Sequence, residues 1–318
     1  MISSYIEYVD YYLPDNTVNV KDILDESEIS ESKKNHILKC GNFDRICVED
    51  RLNCYEMCEG LMQNCLTHYS GEKIKFLLFS GNARFVNNGI SVPYYIVGKY
   101  NLKNTSIISI NQGCASALHA LKIADLLVKE DKDAKIIIAS LWKAENYKER
   151  LVATTVIGDG ACVKVVGSGS GMLKIIDSRS RSDGSTTLRR YLELGVADKV
   201  QPGFMDVEKN IVRNLKKLIF DLLRNNSLSI DDIALFIPQN VNHILYRLYA
   251  QNINVGIDRF FLENIPKHGH IGDADTAINL KDAISIGRIK HKDKIIMFSI
   301  GEVGGNFNYA AVLLECCN

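Results

Sequence analysis

The chain reads as an α/β protein made of two copies of one unit, and three observations predict it. Strand-like runs alternate with helix-like runs: apolar segments such as Ile74 to Ser80 and Ala134 to Leu141 are interleaved with amphipathic stretches such as Ala115 to Lys129. These segments recur at a shift of 159 residues, with Ile74 to Ser80 landing on Ile233 to Gln239 and Lys135 to Ser140 on Lys294 to Ser299. Two apolar strands resemble each other by chance, but one offset shared by three elements points to an internal duplication. In that register Cys114, at the first strand-to-helix elbow, falls on Asp273 at the second. The halves divide at residues 1–168 and 169–318.

The elements follow in order. Residues through about Lys39 mix polar and apolar positions, with a helix over Val20 to Leu38. Glu49 to Ser70 is a helix and Ile74 to Ser80 a buried strand, followed by a loop containing Gly81, Asn87-Asn88-Gly89 and Pro93. The strand Ser106 to Ile110 leads through Asn111-Gln112-Gly113 into the Cys114 helix, and the strand Ala134 to Leu141 comes next. Gly158-Asp159-Gly160-Ala161 turns into the strand Cys162 to Val166. The second copy adds helices over Asp206 to Asn225, Val241 to Gln251 and Asp273 to Gly287, with strands Ile233 to Ile237, Lys294 to Ile300 and Asn308 to Glu315. Strands that alternate with helices predict mainly parallel sheets covered on both faces.

Composition narrows the function without naming it. The 318 residues and 46% hydrophobic content suit a globular enzyme with a large core. Lys and Arg together balance Asp and Glu to a net charge of zero, so nothing predicts binding to nucleic acid or an anionic membrane. The start lacks a basic segment followed by an apolar run, and no stretch approaches the roughly 20 apolar residues of a membrane span. A soluble, cytoplasmic protein is expected.

Nine cysteines in a chain without an export signal argue against a disulfide framework, and none of the spacings among Cys54, Cys58 and Cys65 is a zinc pair. No metal is expected. Eight of the cysteines, including Cys40, Cys47, Cys162, Cys316 and Cys317, read as reduced thiols. Cys114 differs by position: a thiol at a strand-to-helix elbow faces the unpaired N–H groups and positive dipole end of the helix, which favour thiolate.

At these residues the chain resembles a known family. Asn111-Gln112-Gly113-Cys114-Ala115-Ser116-Ala117-Leu118 resembles the active-site cysteine motif of the ketoacyl synthase III group of the thiolase superfamily. Gly158-Asp159-Gly160-Ala161 is similar to its Gly-Asp-Gly-Ala turn, and Gly304 to Ala310 to its glycine-rich C-terminal loop. The resemblance runs from about Gly41 to Glu315 and implies a thiolase fold, a five-layer α-β-α-β-α sandwich, and a homodimer. It also implies a thioester on Cys114, an oxyanion hole from the N–H groups of Cys114 and Gly305, and no resident cofactor. The implied donor is an acyl thioester of coenzyme A or of an acyl carrier protein. Lys39, Arg45 and Arg247 are the basic residues near its expected binding places, and Arg150 stands one position out of register with another arginine of the family.

The departures carry the functional reading. Condensing members of the family use Cys, His and Asn. Gln239 of Pro238-Gln239-Asn240-Val241-Asn242 occupies the His position, and His270 of Gly269-His270-Ile271-Gly272 occupies the Asn position. Decarboxylative condensation needs two hydrogen-bond donors on a malonyl thioester carbonyl, which Gln239 and His270 can both supply. Transfer to a hydroxyl or amine needs one base near neutral pKa, which His270 suits better. Acyl transfer in specialised metabolism is therefore the favoured reading, condensation the second, and a non-catalytic partner subunit the third.

Each candidate also has a plainer role. Gln239 at a strand end can pair with backbone, and His270 can cap a helix. Asp273 and Asp275 suit the N-cap and first turn of their helix. One of these aspartates is expected to orient His270, without the sequence choosing which, and Asp273 joins Cys114, Gln239 and His270 in the candidate catalytic set.

Overall fold

The computed structural model describes residues 2–82, 86–87, 90–184 and 204–317, so the loop residues Asn88 and Gly89 lie outside it. Nine strands form one mixed sheet that falls into two halves. The first half holds β1 (Ser4–Tyr12), β2 (Ile74–Gly81), β3 (Ser106–Ser109), β4 (Lys135–Trp142) and β5 (Gly160–Gly167), in the order β1-β5-β4-β2-β3. The second holds β6 (Leu173–Asp183), β7 (Ile233–Ile237), β8 (Lys294–Val303) and β9 (Asn306–Cys316), in the order β7-β8-β9-β6. The halves join where Ser4, Tyr5 and Ile6 of β1 pair with Ile175, Lys174 and Leu173 of β6.

The helices are α1 (Val20–Asp25), α2 (Glu31–Gly41), α3 (Cys54–His68), α4 (Val92–Lys99), α5 (Ser116–Glu130), α6 (Phe204–Asn225), α7 (His243–Ile253), α8 (Ile265–His268) and α9 (Asp275–Ser285). The duplication is visible in three dimensions: β2 and β7, β4 and β8, and α5 and α9 each begin 159 residues apart. Five layers result. α5 and α9 lie between the sheet halves, where Leu118, Leu121 and Leu280 pack against Ile136, Ile138, Ile295 and Met297. Met57, Leu61 and Ile96 of α3 and α4 cover the outer face of the first half. Leu215, Ile219 and Tyr249 of α6 and α7 cover that of the second, joined there by Ile23 and Ile37 of α1 and α2. Strand β4 shows why such strands read as unbroken apolar runs: Ile136 and Ile138 face the inner helices while Ile137, Ala139 and Leu141 face α3, so both faces are buried.

Several sequence expectations need correction. The sheet is mixed rather than mainly parallel: β2 runs parallel to β3 and β4, and β7 to β8, while the remaining pairs are antiparallel. The reason is connection length: β8 returns to β9 through a tight turn and β4 to β5 without a crossover helix, which forces antiparallel pairing. Strands β1 and β6 lie outside the expected elements, because β1 mixes buried and half-buried positions and carries four tyrosines instead of presenting an apolar run. The single helix over Val20 to Leu38 is two, the second starting afresh where the Ser30 side chain accepts from the Lys33 N–H. α3 starts at Cys54, not Glu49, because Asn53 and Glu56 form a reciprocal capping box. Among the described residues, no helix is long and apolar enough to cross a membrane.

Candidate active site

The nucleophile elbow is built by hydrogen bonds from its own sequence. The Ser116 hydroxyl accepts from the Gln112 N–H at 2.8 Å and donates to the Gly113 carbonyl at 2.6 Å, tying the turn to the first residue of α5. Gly113 has φ +57°, and a Cβ on it would lie 2.6 Å from the Glu302 carbonyl oxygen, so the left-handed turn and the close approach of β8 both demand glycine. Cys114 is thereby left half-buried, one residue short of the helix N-cap.

His270 reaches the same point from the other copy. Its N–H donates to the Val156 carbonyl and its carbonyl accepts from the Gly158 N–H, both at 2.9 Å, so the Gly158-Asp159-Gly160 turn grips the histidine's backbone. Asp159, fully buried, fixes that turn: it takes both terminal nitrogens of Arg150, at 3.0 and 2.8 Å, and the N–H groups of Glu49 and Ala144. With the backbone so held, the ring places Nε2 3.1 Å from Cys114 Sγ and Nδ1 2.5 Å from Asp275 Oδ2. Asp275 is fully buried and also accepts from the N–H groups of Asn240 at 2.6 Å and Ile271 at 2.7 Å. Cys114, His270 and Asp275 thus form one connected line.

Electrostatics separates this pair from other cysteines and histidines. Burial opposes charge on the His270 ring, but the Cys114 sulfur and then the Asp275 carboxylate outweigh it and raise the ring to about 10. At neutral pH the imidazolium donates from Nδ1 to the carboxylate and from Nε2 to sulfur. A second contact, Cys47 Sγ to His268 Nδ1 at 3.7 Å, behaves oppositely: burial pushes the thiol up to about 12 and lowers His268, leaving both neutral. Burial likewise raises Cys54, Cys58, Cys65 and Cys162. All nine cysteines are free of disulfides.

The structure brings Cys114 and His270 together and assigns other tasks to the rest of the candidate set. Gln239 is bonded to backbone: its Nε2 donates to the Ile300 carbonyl at 2.9 Å and its Oε1 accepts from the Ile300 N–H at 2.8 Å, extending the pairing of β7 with β8 through a side chain. Asp273 is not the partner of His270, because its Oδ1 accepts from Trp142 Nε1 at 2.5 Å and from the Ser140 hydroxyl. The Gly305 N–H donates to the Glu302 side chain instead of facing an oxyanion. Its displacement has a simple cause: β8 and β9 remain paired out to Val303 and Asn306, which carries the glycine turn to the hairpin tip, and Gly301 is the residue that packs on the elbow. Lys39 and Arg247 are exposed on α2 and α7, and Arg45 is exposed with its Nε on the Thr17 hydroxyl at 2.8 Å. Arg150 is buried against Asp159 and unavailable to a donor.

Asp275 and Asn240 are the site residues that the sequence left open or missed, and the internal repeat holds the signal for the first. At the 159-residue offset Asp275 falls on Ser116. Ser116 accepts from the N–H four residues before it, Gln112, and Asp275 accepts from the N–H four residues before it, Ile271. The same bond from the first helical side chain back to the turn recurs in both copies, and a carboxylate has a second oxygen left over for His270. Beyond Asp275 a buried amide chain continues from Asn240 to Asn279 at 2.9 Å and from Asn279 to Asn264 at 2.9 Å.

Comparison with known proteins places the family. The family described as 3-Oxoacyl-[acyl-carrier-protein (ACP)] synthase III matches residues 108–184, and its C-terminal counterpart matches residues 223–316. Together they span more than half of the chain, elbow and histidine loop included. The chain is 27% identical over 238 residues to beta-ketoacyl-[acyl-carrier-protein] synthase III 2 of Staphylococcus epidermidis, covering 71% of this chain and 72% of that one. Among solved structures, 3-oxoacyl-[acyl-carrier-protein] synthase III of Aquifex aeolicus VF5 superposes with a TM-score of 0.82 at 21% identity, over 98% of this chain and 99% of that one. The acyltransferase ChlB3 superposes with a TM-score of 0.83 at 15% identity, over 99% and 98%.

Proposed function

The chain belongs to the 3-oxoacyl-[acyl-carrier-protein] synthase III family, and from that premise we propose that it is an acyltransferase that loads an acyl group on Cys114 and passes it to a hydroxyl or amine. The observation that carries this reading is the line Cys114–His270–Asp275, with Gln239 held on Ile300. Condensation calls for two donors on the malonyl carbonyl; Gln239 is held by Ile300 through both its amide atoms, and His270 is the candidate in hydrogen-bond contact with the Cys114 sulfur.

The steps follow from the charges. The Cys114 sulfur, as thiolate beside the imidazolium, attacks the carbonyl carbon of a coenzyme A or carrier-protein thioester. The tetrahedral oxyanion collapses, the C–S bond to the donor breaks, and the leaving thiolate takes the proton from His270 Nε2. With the sulfur esterified, one of the two groups that raised His270 is neutral, and the ring, having given its proton to the leaving thiolate, is left unprotonated at Nε2. The acceptor's oxygen or nitrogen then attacks the Cys114 thioester while Nε2 takes its proton. Collapse releases the ester or amide and restores the thiolate–imidazolium pair. Asp275 holds Nδ1 throughout.

The same proposal includes a homodimer, supported by the edge strand β3: among the described strands only β2 pairs with it, and its other edge, next to the nucleophile, is open. The test of the function supplies the loaded enzyme with carboxyl-labelled malonyl thioester in one arm and with hydroxyl and amine acceptors in another. Ester or amide formed without labelled carbon dioxide above the Cys114→Ala blank is the expected result. Carbon dioxide release with a β-ketoacyl product would assign the chain to the condensing enzymes.

A further inference from the structure

Trp142 is held beside the candidate site by features that serve no other evident purpose. It ends β4 on the face that looks toward α9, and its ring centroid lies 6.3 Å from that of His270 at an interplanar angle of 40°. Three devices fix it. Gly272, at φ +55°, gives it room: a Cβ there would sit 1.8 Å from Trp142 Cε2. The Asp273 carboxylate accepts from its indole N–H at 2.5 Å, and Ser140 donates to the same Asp273 oxygen.

The cost of this arrangement argues for a use. Asp273 is 1% exposed, and its second oxygen has no hydrogen-bond partner among the described residues. A buried carboxylate with one oxygen unpaired is expensive, and an apolar residue at that position would avoid the penalty. Trp142 itself stays half-buried, so part of the indole remains a surface and does not vanish into the core. A large flat ring locked in one orientation next to the base bounds the space that an acyl group or acceptor can occupy.

We infer that Trp142 is the specificity-determining wall of this site, limiting the width of the group that can stand beside His270, with Asp273 as the residue that positions it. The chemical identity of the admitted group rests on the acyl-transfer reading, whereas the existence of the wall does not.

The experiment compares Cys114 alkylation by iodoacetamide and by N-tert-butyl iodoacetamide, which share a reactive carbon and differ in width. The readout is the ratio of the two rates in wild type, Trp142→Phe, Trp142→Ala and Asp273→Ala. The wall predicts a ratio that moves toward the bulky reagent by about tenfold or more in Trp142→Ala, and in the same direction by less in the Phe and Asp273 variants. Trp142→Phe retains a ring in the space and keeps the test decisive if the alanine variant fails to fold. An unchanged ratio in the folded variants overturns the inference. A second arm loads straight-chain and isobutyryl or pivaloyl coenzyme A thioesters: gain of the branched adducts in the Trp142 variants supports the wall. If wild type accepts no thioester, the acyl-transfer reading fails while the alkylation ratio still decides the wall.

Discussion

Replacing Asp275 with Asn removes one charge while keeping the side chain's shape, which isolates what the carboxylate does. Its Oδ2 lies 2.5 Å from His270 Nδ1, in a fully buried position. Two unit charges about 4 Å apart interact by about 4 kcal/mol at an effective dielectric of about 20, and about 1.4 kcal/mol is one pKa unit. Asp275→Asn therefore lowers the His270 midpoint from about 10 by as much as about 3 units. Histidine resonances of labelled protein followed across pH read this directly. Because the folded-state value is raised, the charged ring stabilises the fold fully below the ordinary histidine value of about 6.5. That contribution is lost as pH rises through about 10, so the stability gap between wild type and variant narrows over the same window. Transfer from a pre-loaded Cys114 to its acceptor slows by about 10²-fold or more, since a positioned base contributes about 10²–10⁴. A midpoint that does not move, or transfer slowed less than about threefold, refutes the role given to Asp275.

Three further outcomes follow from the same contacts. Gln239→Leu leaves the Ile300 N–H and carbonyl unpaired in the core and destabilises by about 1–3 kcal/mol in urea unfolding, while Cys114 still loads; loss of loading in a folded variant would return Gln239 to the catalytic set. Arg150→Met strands the buried Asp159 charge and costs about 3–5 kcal/mol, read from the same unfolding curves; a loss under about 1 kcal/mol would show the pair to be dispensable. Gly301→Ala drives a Cβ to within 1.8 Å of the Gln112 carbonyl oxygen, so the elbow shifts and Cys114 alkylation by iodoacetamide falls at least about tenfold; an unchanged rate would mean that β8 does not brace the elbow.

The duplication was legible because it is written in local pattern. β2, β4 and α5 and their counterparts β7, β8 and α9 are buried on one or both faces, and burial leaves an apolar signature that survives at a constant offset. The elbow was legible for the same reason, since Cys114 must sit where a strand feeds a helix. Strands β1 and β6 were not, because their polar and tyrosine positions are stabilised by pairing with each other and with β5 and β9, contacts more than a hundred residues distant in sequence. Among the site residues, position at the elbow singled out Cys114, and the resemblance to the family singled out His270. Direction of a side chain was the part that the sequence did not carry: Gln239 stands at the end of β7 as expected and turns into the sheet, while Asp273 and Asp275, two residues apart, point at different rings. Gly305 stands at the hairpin tip because pairing of β8 with β9 continues to Val303 and Asn306.

The central claim is that Cys114 carries the acyl group, and intact-protein mass tests it most directly. The wild-type chain and Cys114→Ala are incubated side by side with short, medium and long acyl-coenzyme A donors and with an acyl carrier protein thioester. One acyl adduct per chain in wild type, absent in the variant and discharged by the acceptor, is the predicted result. No adduct from any donor, or an adduct that persists in Cys114→Ala, would contradict the account and favour a partner subunit that keeps the fold without the chemistry.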